Sequence, residues 1–389
     1  MKHKKILILS LLLALVITGK SQIEITVQQP IQENFVESEL ISEISFIPLS
    51  YEKMGAIAPD MELKVDGENY FILDNKFTQS VFRFNNQGEL LDTITTQKRD
   101  TGQKNLPLLN NPSKFSINAT LKQVEIFNFE NLALSRFSYS GKKIDQVFLP
   151  VAPSDFIRDQ KGNYWLYTGW NNKESQFRLI HADKNGKVID RQLRLVSKCT
   201  PFESYAFSTH NNNIYLWELL GNSTYKINNN TAVETYFLNF GQKNLPASFH
   251  SMDPYDSYIM INRLGYFSTK KYLENDNFAY FFLNYTTETG REIYHVIYDK
   301  KTKKSYNYFE NAGISAFEKA QYLTDNDELV FLVAPRKIRQ LATSENDNLG
   351  FQFDEIVEAA NSVKNTMIVK LKLVSAEVAE ENPQPSPTE

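Results

Sequence analysis

Tyr70-Phe71-Ile72-Leu73-Asp74, Ser80-Val81-Phe82-Arg83-Phe84, Asn85-Asn86-Gln87-Gly88 and Leu90-Leu91-Asp92-Thr93-Ile94 follow one another early in the chain. Two short aromatic and β-branched runs, a polar turn closed by glycine and a third run read as an antiparallel sheet. Glycine accepts the positive φ that such a turn requires, and asparagine tolerates it. The order returns at 136–144 around Gly141 and at 178–189 around Asp183-Lys184-Asn185-Gly186. It returns with asparagine in place of glycine at Tyr225-Lys226-Ile227-Asn228-Asn229-Asn230, and in a weaker form at 296–303. Turn positions 88, 141, 186, 230 and 302 are about 53, 45, 44 and 72 residues apart, close to the ~40–50 residues of a four-stranded propeller blade. The long last interval requires an insertion, expected at 247–258, beside Pro246 and containing Pro254.

A sixth unit runs over 314–373 and contains the strand-like run Glu328-Leu329-Val330-Phe331-Leu332-Val333. Apolar residues at 353, 356, 357, 360 and 363 carry helical spacing, so a short helix is expected in this last blade. Val369, Leu371 and Leu373 alternate with Lys370 and Lys372, a half-buried strand. Ile44-Ser45-Phe46-Ile47-Pro48-Leu49 also reads as a strand, and Pro48, which lacks an amide donor, belongs on an edge or at a strand end. Pairing these two strands closes a ring. The expected fold is all-β: a six-bladed β-propeller of four-stranded antiparallel blades, closed by its N- and C-terminal strands.

The 27 Phe and 20 Tyr are spread along the chain, and no Gly/Ser/Pro-rich linker divides it. One domain over 22–375 is therefore expected, with 1–21 as a signal peptide and 376–389 as a disordered acidic tail holding Pro383, Pro385 and Pro387. Lys2, Lys4 and Lys5 precede an apolar run from Ile6 to Ile17. That run is about 12 residues, against the ~20 of a spanning helix, and a small-residue stretch, Gly19-Lys20-Ser21, follows it. The order is that of a secretory leader, so the protein is expected in the periplasm or outside the cell, without a transmembrane span. The single cysteine, Cys199, lies far from the leader. This argues against lipoprotein acylation and excludes an internal disulfide. Losing the four leader lysines takes the net charge from −4 to −8, which argues against nucleic acid as a partner.

The strand-Pro-Leu order at 44–49, Tyr70-Phe71-Ile72-Leu73-Asp74 and Val81-Phe82-Arg83-Phe84-Asn85-x-x-Gly88-x-x-Leu91 resemble the six-bladed β-propeller family of exported Bacteroidota proteins. The stretches Tyr139–Asp145 and Asn365–Lys372 resemble it too, so the likeness spans nearly all of the chain after the leader. It implies the propeller fold and export. Members of that family often carry Gly-x-Gly-Pro-x-Glu-Tyr after the first blade, where this chain has 98–111 and keeps only Gly102. Members are frequently lipoproteins, a second departure, and the family supplies no catalytic residues to carry over.

Catalytic and metal motifs are absent from the sequence. His181, His210, His250 and His295 have no pairwise metal-ligand spacing. The run Asp325-Asn326-Asp327-Glu328 lacks the spacing and glycine of a calcium loop and reads as a hairpin turn. Gly-x-Ser-x-Gly and phosphate-loop patterns do not occur. Asp253 and Asp256 would serve as an acid/base pair only if the fold raised one pKa. Trp165, Tyr167 and Trp217 read as core. Trp170, beyond Gly169 where a strand ends, suits stacking on a sugar or anchoring a protein. His250 and Tyr255 in the insertion, and Arg263 on the strand expected to flank it, complete the candidate ligand-binding set. No metal or cofactor is expected. The reading is a monomeric, non-catalytic module that binds a glycan, a peptide or an envelope protein at the channel mouth; the alternative is a lyase or hydrolase with its active site there.

Overall fold

The computed structural model describes residues 22–27, 35–50, 61–75, 78–95, 112–129, 131–169, 175–195, 206–311, 315–343, 351–363 and 365–375. The leader, the C-terminal tail, Trp170 and Cys199 lie outside these residues. Two N-terminal strands, β1 (Ile23–Thr26) and β2 (Ile41–Pro48), join sheets that later segments build. Blade 1 is β3 (Glu62–Asp66), β4 (Asn69–Asp74), β5 (Ser80–Phe84) and β6 (Leu90–Thr95). Blade 2 is β7 (Pro112–Asn118), β8 (Gln123–Asn128), β9 (Ala133–Ser138) and β10 (Lys143–Phe148). Blade 3 is β11 (Asp155–Arg158), β12 (Tyr164–Tyr167), β13 (Phe177–Ala182) and β14 (Val188–Arg194). Blade 4 is β15 (Phe207–His210), β16 (Asn213–Trp217), β17 (Ser223–Asn228) and β18 (Thr231–Asn239), with β1 added in parallel on β18. Blade 5 is β19 (Tyr266–Glu274), β20 (Phe278–Thr287), β21 (Gly290–Asp299) and β22 (Lys304–Asn311). Blade 6 is β23 (Tyr322–Leu323), β24 (Glu328–Val333) and β25 (Met367–Leu373), with β2 as its outermost strand.

The first strand of each blade touches the first strand of the next, from β3 through β7, β11, β15, β19 and β23 back to β3. This cycle is the six-bladed propeller, with the first strands around a central channel. Closure is as the sequence indicates. β2 pairs with β25, Phe46 opposite Val369 and Pro48 opposite Met367, which puts the proline at the end of an edge strand.

The blades stack because their second strands are apolar on both faces. Tyr70 and Ile72 pack with Val330, Leu332 and Ile368 of blade 6, and Phe71 and Leu73 pack with Phe115, Val124 and Ile126 of blade 2. Trp165, Tyr167 and Trp217 are buried, as read from the sequence. The recurrent turns join the third and fourth strands, and Gly88, Gly141, Gly186, Asn230 and Lys303 all have positive φ. A Cβ on Gly88 would lie 2.1 Å from the Pro48 carbonyl oxygen, and one on Gly186 2.1 Å from that of Phe148. These turns therefore need glycine twice, for φ and for contact with the outermost strand of the preceding blade.

The insertion before blade 5 folds into two short 3₁₀ turns and helix α1 (Pro254–Leu264). Asp253 caps α1 by accepting the Tyr255 N–H at 2.9 Å. Arg263 lies in the last turn of this helix, not on the flanking strand, which begins at Tyr266. Between β24 and β25 stand two helices where the sequence indicated one: α2 (Pro335–Thr343) and α3 (Phe351–Ser362). Ile356 and Ala360 of α3 pack with Ile338 of α2. Among the described residues no helix is long and apolar enough to cross a membrane.

Candidate functional site

Every blade begins with the strand nearest the axis, so all six first strands run in one direction and the chain enters each blade at one end of the channel, the upper mouth. Glu62 and Lys64 of β3, Lys114 of β7, Asp155 of β11, Ser208 of β15 and Lys271 of β19 stand on corresponding faces of their sheets. Their cross-strand partners are Leu73, Phe71, Phe127, Tyr167, Tyr215 and Phe282, each of which packs toward the following blade. Blade 6 contributes Lys319 and Gln321 from the segment leading into β23. Lys114 and Lys271 each follow a register shift, so that Ser113 and Lys270 are extra residues in their strands. Such bulges re-aim the next side chain.

The resulting ring is charged and enclosed. Glu62, Lys114, Asp155 and Lys271 are 3 %, 7 %, 2 % and 3 % exposed. Lys64 keeps 24 % of its side-chain surface open and places Nζ 2.9 Å from Glu62 Oε1. Burial pushes the Glu62 carboxyl up, but Lys64, Lys114 and Lys271 outweigh it and hold it below the ordinary value. Burial pushes the Lys64 amine down, and Glu62 and Asp155 more than restore it. Lys114 stays below its ordinary value because burial exceeds the pull of the same two carboxylates. Lys271 is held well below, first by burial and then by the like charges of Lys64 and Lys319. Burial keeps the Asp155 carboxyl above its usual range although Lys114 and Lys64 act against it. Asp155 also ties blade 3 to blade 4, because its Oδ2 accepts the Ala206 and Phe207 N–H groups at 2.7 and 3.0 Å.

Deeper in the seams between blades, buried ion pairs complete the scaffold. Arg158 reaches Glu125 at 3.0 Å between blades 3 and 2, with the Tyr164 hydroxyl donating to the same carboxylate. Arg178 pairs with Glu218 between blades 3 and 4, and the Tyr167 hydroxyl donates to Glu218 at 3.0 Å.

The opposite end, the lower mouth, is formed by the hairpins between first and second strands. His210 at the end of β15 lies 3.2 Å from Asp276 of blade 5 and 3.1 Å from Asp325 of blade 6. Asp325, Asp327 and Glu328 form the β23–β24 hairpin that the sequence suggested. Among the described residues no group of His, Cys, Asp and Glu is arranged to hold a metal ion.

Of the four residues singled out in the sequence, Trp170 lies outside the described residues. His250, Tyr255 and Arg263 fall on one connection, 240–265, which joins β18 of blade 4 to the first strand of blade 5 and so lies at the upper-mouth side. His250 is half-buried on Phe249, and burial, then Arg178, depress its imidazole. Tyr255 is 70 % exposed, and Arg263 is exposed. Asp253, weighed as an acid/base partner, is committed to capping α1. Sequence reading missed the ring itself. Its one local signal is a charge that follows Pro-Ser and precedes Phe at the start of a first strand, seen twice: Pro112-Ser113-Lys114-Phe115 and Pro153-Ser154-Asp155-Phe156.

Six sheets around an axis, with a polar ring where the chain enters each blade, define a six-bladed β-propeller domain with one distinctive channel mouth. Residues 21–371 match the family described as Domain of unknown function (DUF4934), and the chain belongs to that family. No curated protein matches it. Among solved structures, a candidate exported protein of Bacteroides fragilis is similar at 14 % identity with a TM-score of 0.70, over 91 % of this chain and 100 % of that one. A member of the DUF4221 family from Bacteroides vulgatus is similar at 11 % identity with a TM-score of 0.52, over 86 % of this chain and 97 % of that one. At these identities the likeness is one of fold.

Proposed function

We propose that this chain is an exported, monomeric, non-catalytic propeller that receives its ligand at the upper mouth of the channel. The observation that carries the reading is the ring: polar side chains from all six blades meet at one end, on strands whose other faces are packed core. A concave site with few, convergent polar groups on rigid elements is the usual form of a ligand pocket. The ligand is a glycan, a peptide or another envelope protein. Trp170, His250, Tyr255 and Arg263 are proposed as its outer contacts. The leader-like N-terminus and the fold shared with a candidate exported Bacteroides protein support export.

An array of bacterial envelope glycans and peptides, probed with the purified protein, tests this directly. Hydrogen–deuterium exchange with any binder is expected to show protection at 149–154, 240–265 and 315–321, the connections on the upper-mouth side. Protection confined to the lower hairpins or the outermost strands would overturn the reading.

A further inference from the structure

The two N-terminal strands stand in different relations to their blades. Blade 6 has only β23, β24 and β25 of its own and takes β2 as its fourth strand, whereas blade 4 is complete in β15–β18 and carries β1 as a fifth. β1 lies parallel to β18, with Ile25 opposite Leu238 and Thr26 opposite Asn239. The Val27 N–H donates to the Asn239 carbonyl at 2.9 Å, while the Leu238 N–H turns the other way and donates to the Asn222 carbonyl at 2.8 Å. Alternate residues of a parallel strand bond to a given neighbour. The N–H groups of Ile23, Ile25 and Val27 therefore face β18, and those of Glu24 and Thr26 face outward.

Among residues 22–27 only Ile25 and Val27 are buried, in the cluster of Tyr236, Leu238, Phe240 and Phe267. The side-chain bonds that flank them are exposed: Gln22 to Ser223 and Glu234 at 3.5 and 3.1 Å, and Asn239 to Glu24 at 2.6 Å. Four paired residues with two buried anchors are a weak hold, one that opens locally while the rest of a domain stays folded. A general need to cover sheet edges does not account for the extra strand. Among the described residues β6, β10 and β14 end their sheets without a further strand, although Leu91, Ile144, Phe148 and Ile189 on them are 44 %, 48 %, 61 % and 54 % exposed. What sets β18 apart is the aromatic cluster beside its edge, which receives apolar side chains two residues apart.

We propose that the outer edge of β18 is a strand-acceptor site for an extended segment of a partner protein, one that carries β-branched apolar residues two positions apart, and that β1 is its built-in competitor. Main-chain bonds supply the affinity and the two side-chain positions the selectivity. β1 sets a threshold, because a partner's apparent affinity falls by the fraction of molecules in which the edge is open. The site is on the rim of blade 4, and its failure would leave the reading of the upper mouth untouched.

A fluorescein-labelled peptide of residues 22–27, Gln-Ile-Glu-Ile-Thr-Val, stands in for the partner segment. Fluorescence polarisation should show saturable binding to the full chain. Binding should be about tenfold tighter to the variant carrying Ile25→Asp and Val27→Asp, whose own β1 no longer competes. Methylating the peptide nitrogen at Ile25 should abolish binding, because that N–H faces β18, whereas methylating it at Glu24 should change binding by about threefold or less. Deuterium exchange in the unmodified chain needs no variant: the Ile25 and Val27 amides should exchange about a hundredfold faster than those of β25. Absence of binding to the full chain and the variant alike, or equal binding of the two methylated peptides, would overturn the proposal. Exchange at Ile25 and Val27 as slow as in β25 would overturn it as well, by making β1 a fixed part of the blade. A concentration-dependent dimer that Ile25→Asp abolishes would assign the edge to a second copy and so refute a separate partner.

Discussion

At the upper mouth Lys114, Asp155 and Lys271 are each less than a tenth exposed, whereas at the lower mouth the side chains of Asp276 and Asp325 are 80 % and 73 % exposed around a buried His210. Both ends gather charge from several blades, but only the upper end withdraws it from water. Charges in a low-dielectric setting act on one another far more strongly than charges in solvent, where salt screens them within about 10 Å. The shifts of Glu62, Lys64, Lys114, Asp155 and Lys271 express that coupling. The acidic lower hairpins stay solvated, whereas the upper ring is held out of bulk water.

The largest effect should come from breaking the upper ring at its structural member. Asp155→Ala strips two buried N–H groups in the seam between blades 3 and 4 of their acceptor. It should lower the unfolding free energy by about 3 kcal/mol, read as a shift in the urea midpoint.

A buried charge on the outermost strand of blade 5 separates burial from the ring. Burial pushes the Glu310 carboxyl of β22 up to about 7. The folded protein therefore holds a proton that the unfolded chain has released between about pH 4.5 and 7, so this group's stabilisation is lost as pH rises through that window, by about 3 kcal/mol. His295, 4.0 Å away and pushed down to about 3 by burial, has the opposite slope below pH 6.5. Glu310→Gln should remove the fall between pH 4.5 and 7 and leave the rise due to His295, seen in melting temperature against pH.

Lys271→Met sharpens the comparison from the other direction. Because the folded protein resists protonating this amine, the unfolded chain binds the extra proton below pH 10.5, and wild-type stability rises as pH rises toward that value. The variant should melt higher than wild type near neutral pH, with the difference shrinking as pH is raised. A lower melting temperature at neutral pH would mean that the amine is well solvated after all. The smallest effect belongs to the lower mouth. Asp276→Asn should change stability by about 0.5 kcal/mol or less, and raising salt should erase the change.

Sequence reading captured what is local and repeated. Asn85-Asn86-Gln87-Gly88 and its counterparts fix the outer hairpins because φ is positive there and no Cβ fits beside Pro48 or Phe148. The alternation of Val369, Leu371 and Leu373 fixed the closing strand. β1 escaped notice because four residues pairing in parallel with a strand more than two hundred positions away leave no periodic trace. Helix α2, rich in charge, has only Pro335 and Ile338 buried among its described side chains. The ring was invisible for a deeper reason: Glu62, Lys114, Asp155 and Lys271 are neighbours only because six first strands share one axis. Bulges at Ser113 and Lys270 change which face a lysine occupies, and no residue type announces them.

Mapping a bound ligand on the purified protein by hydrogen–deuterium exchange tests the central claim, that the upper mouth is the ligand site, most directly. Protection at 149–154, 240–265 and 315–321 is the expected result. Protection confined to the lower hairpins or the outermost strands would contradict it.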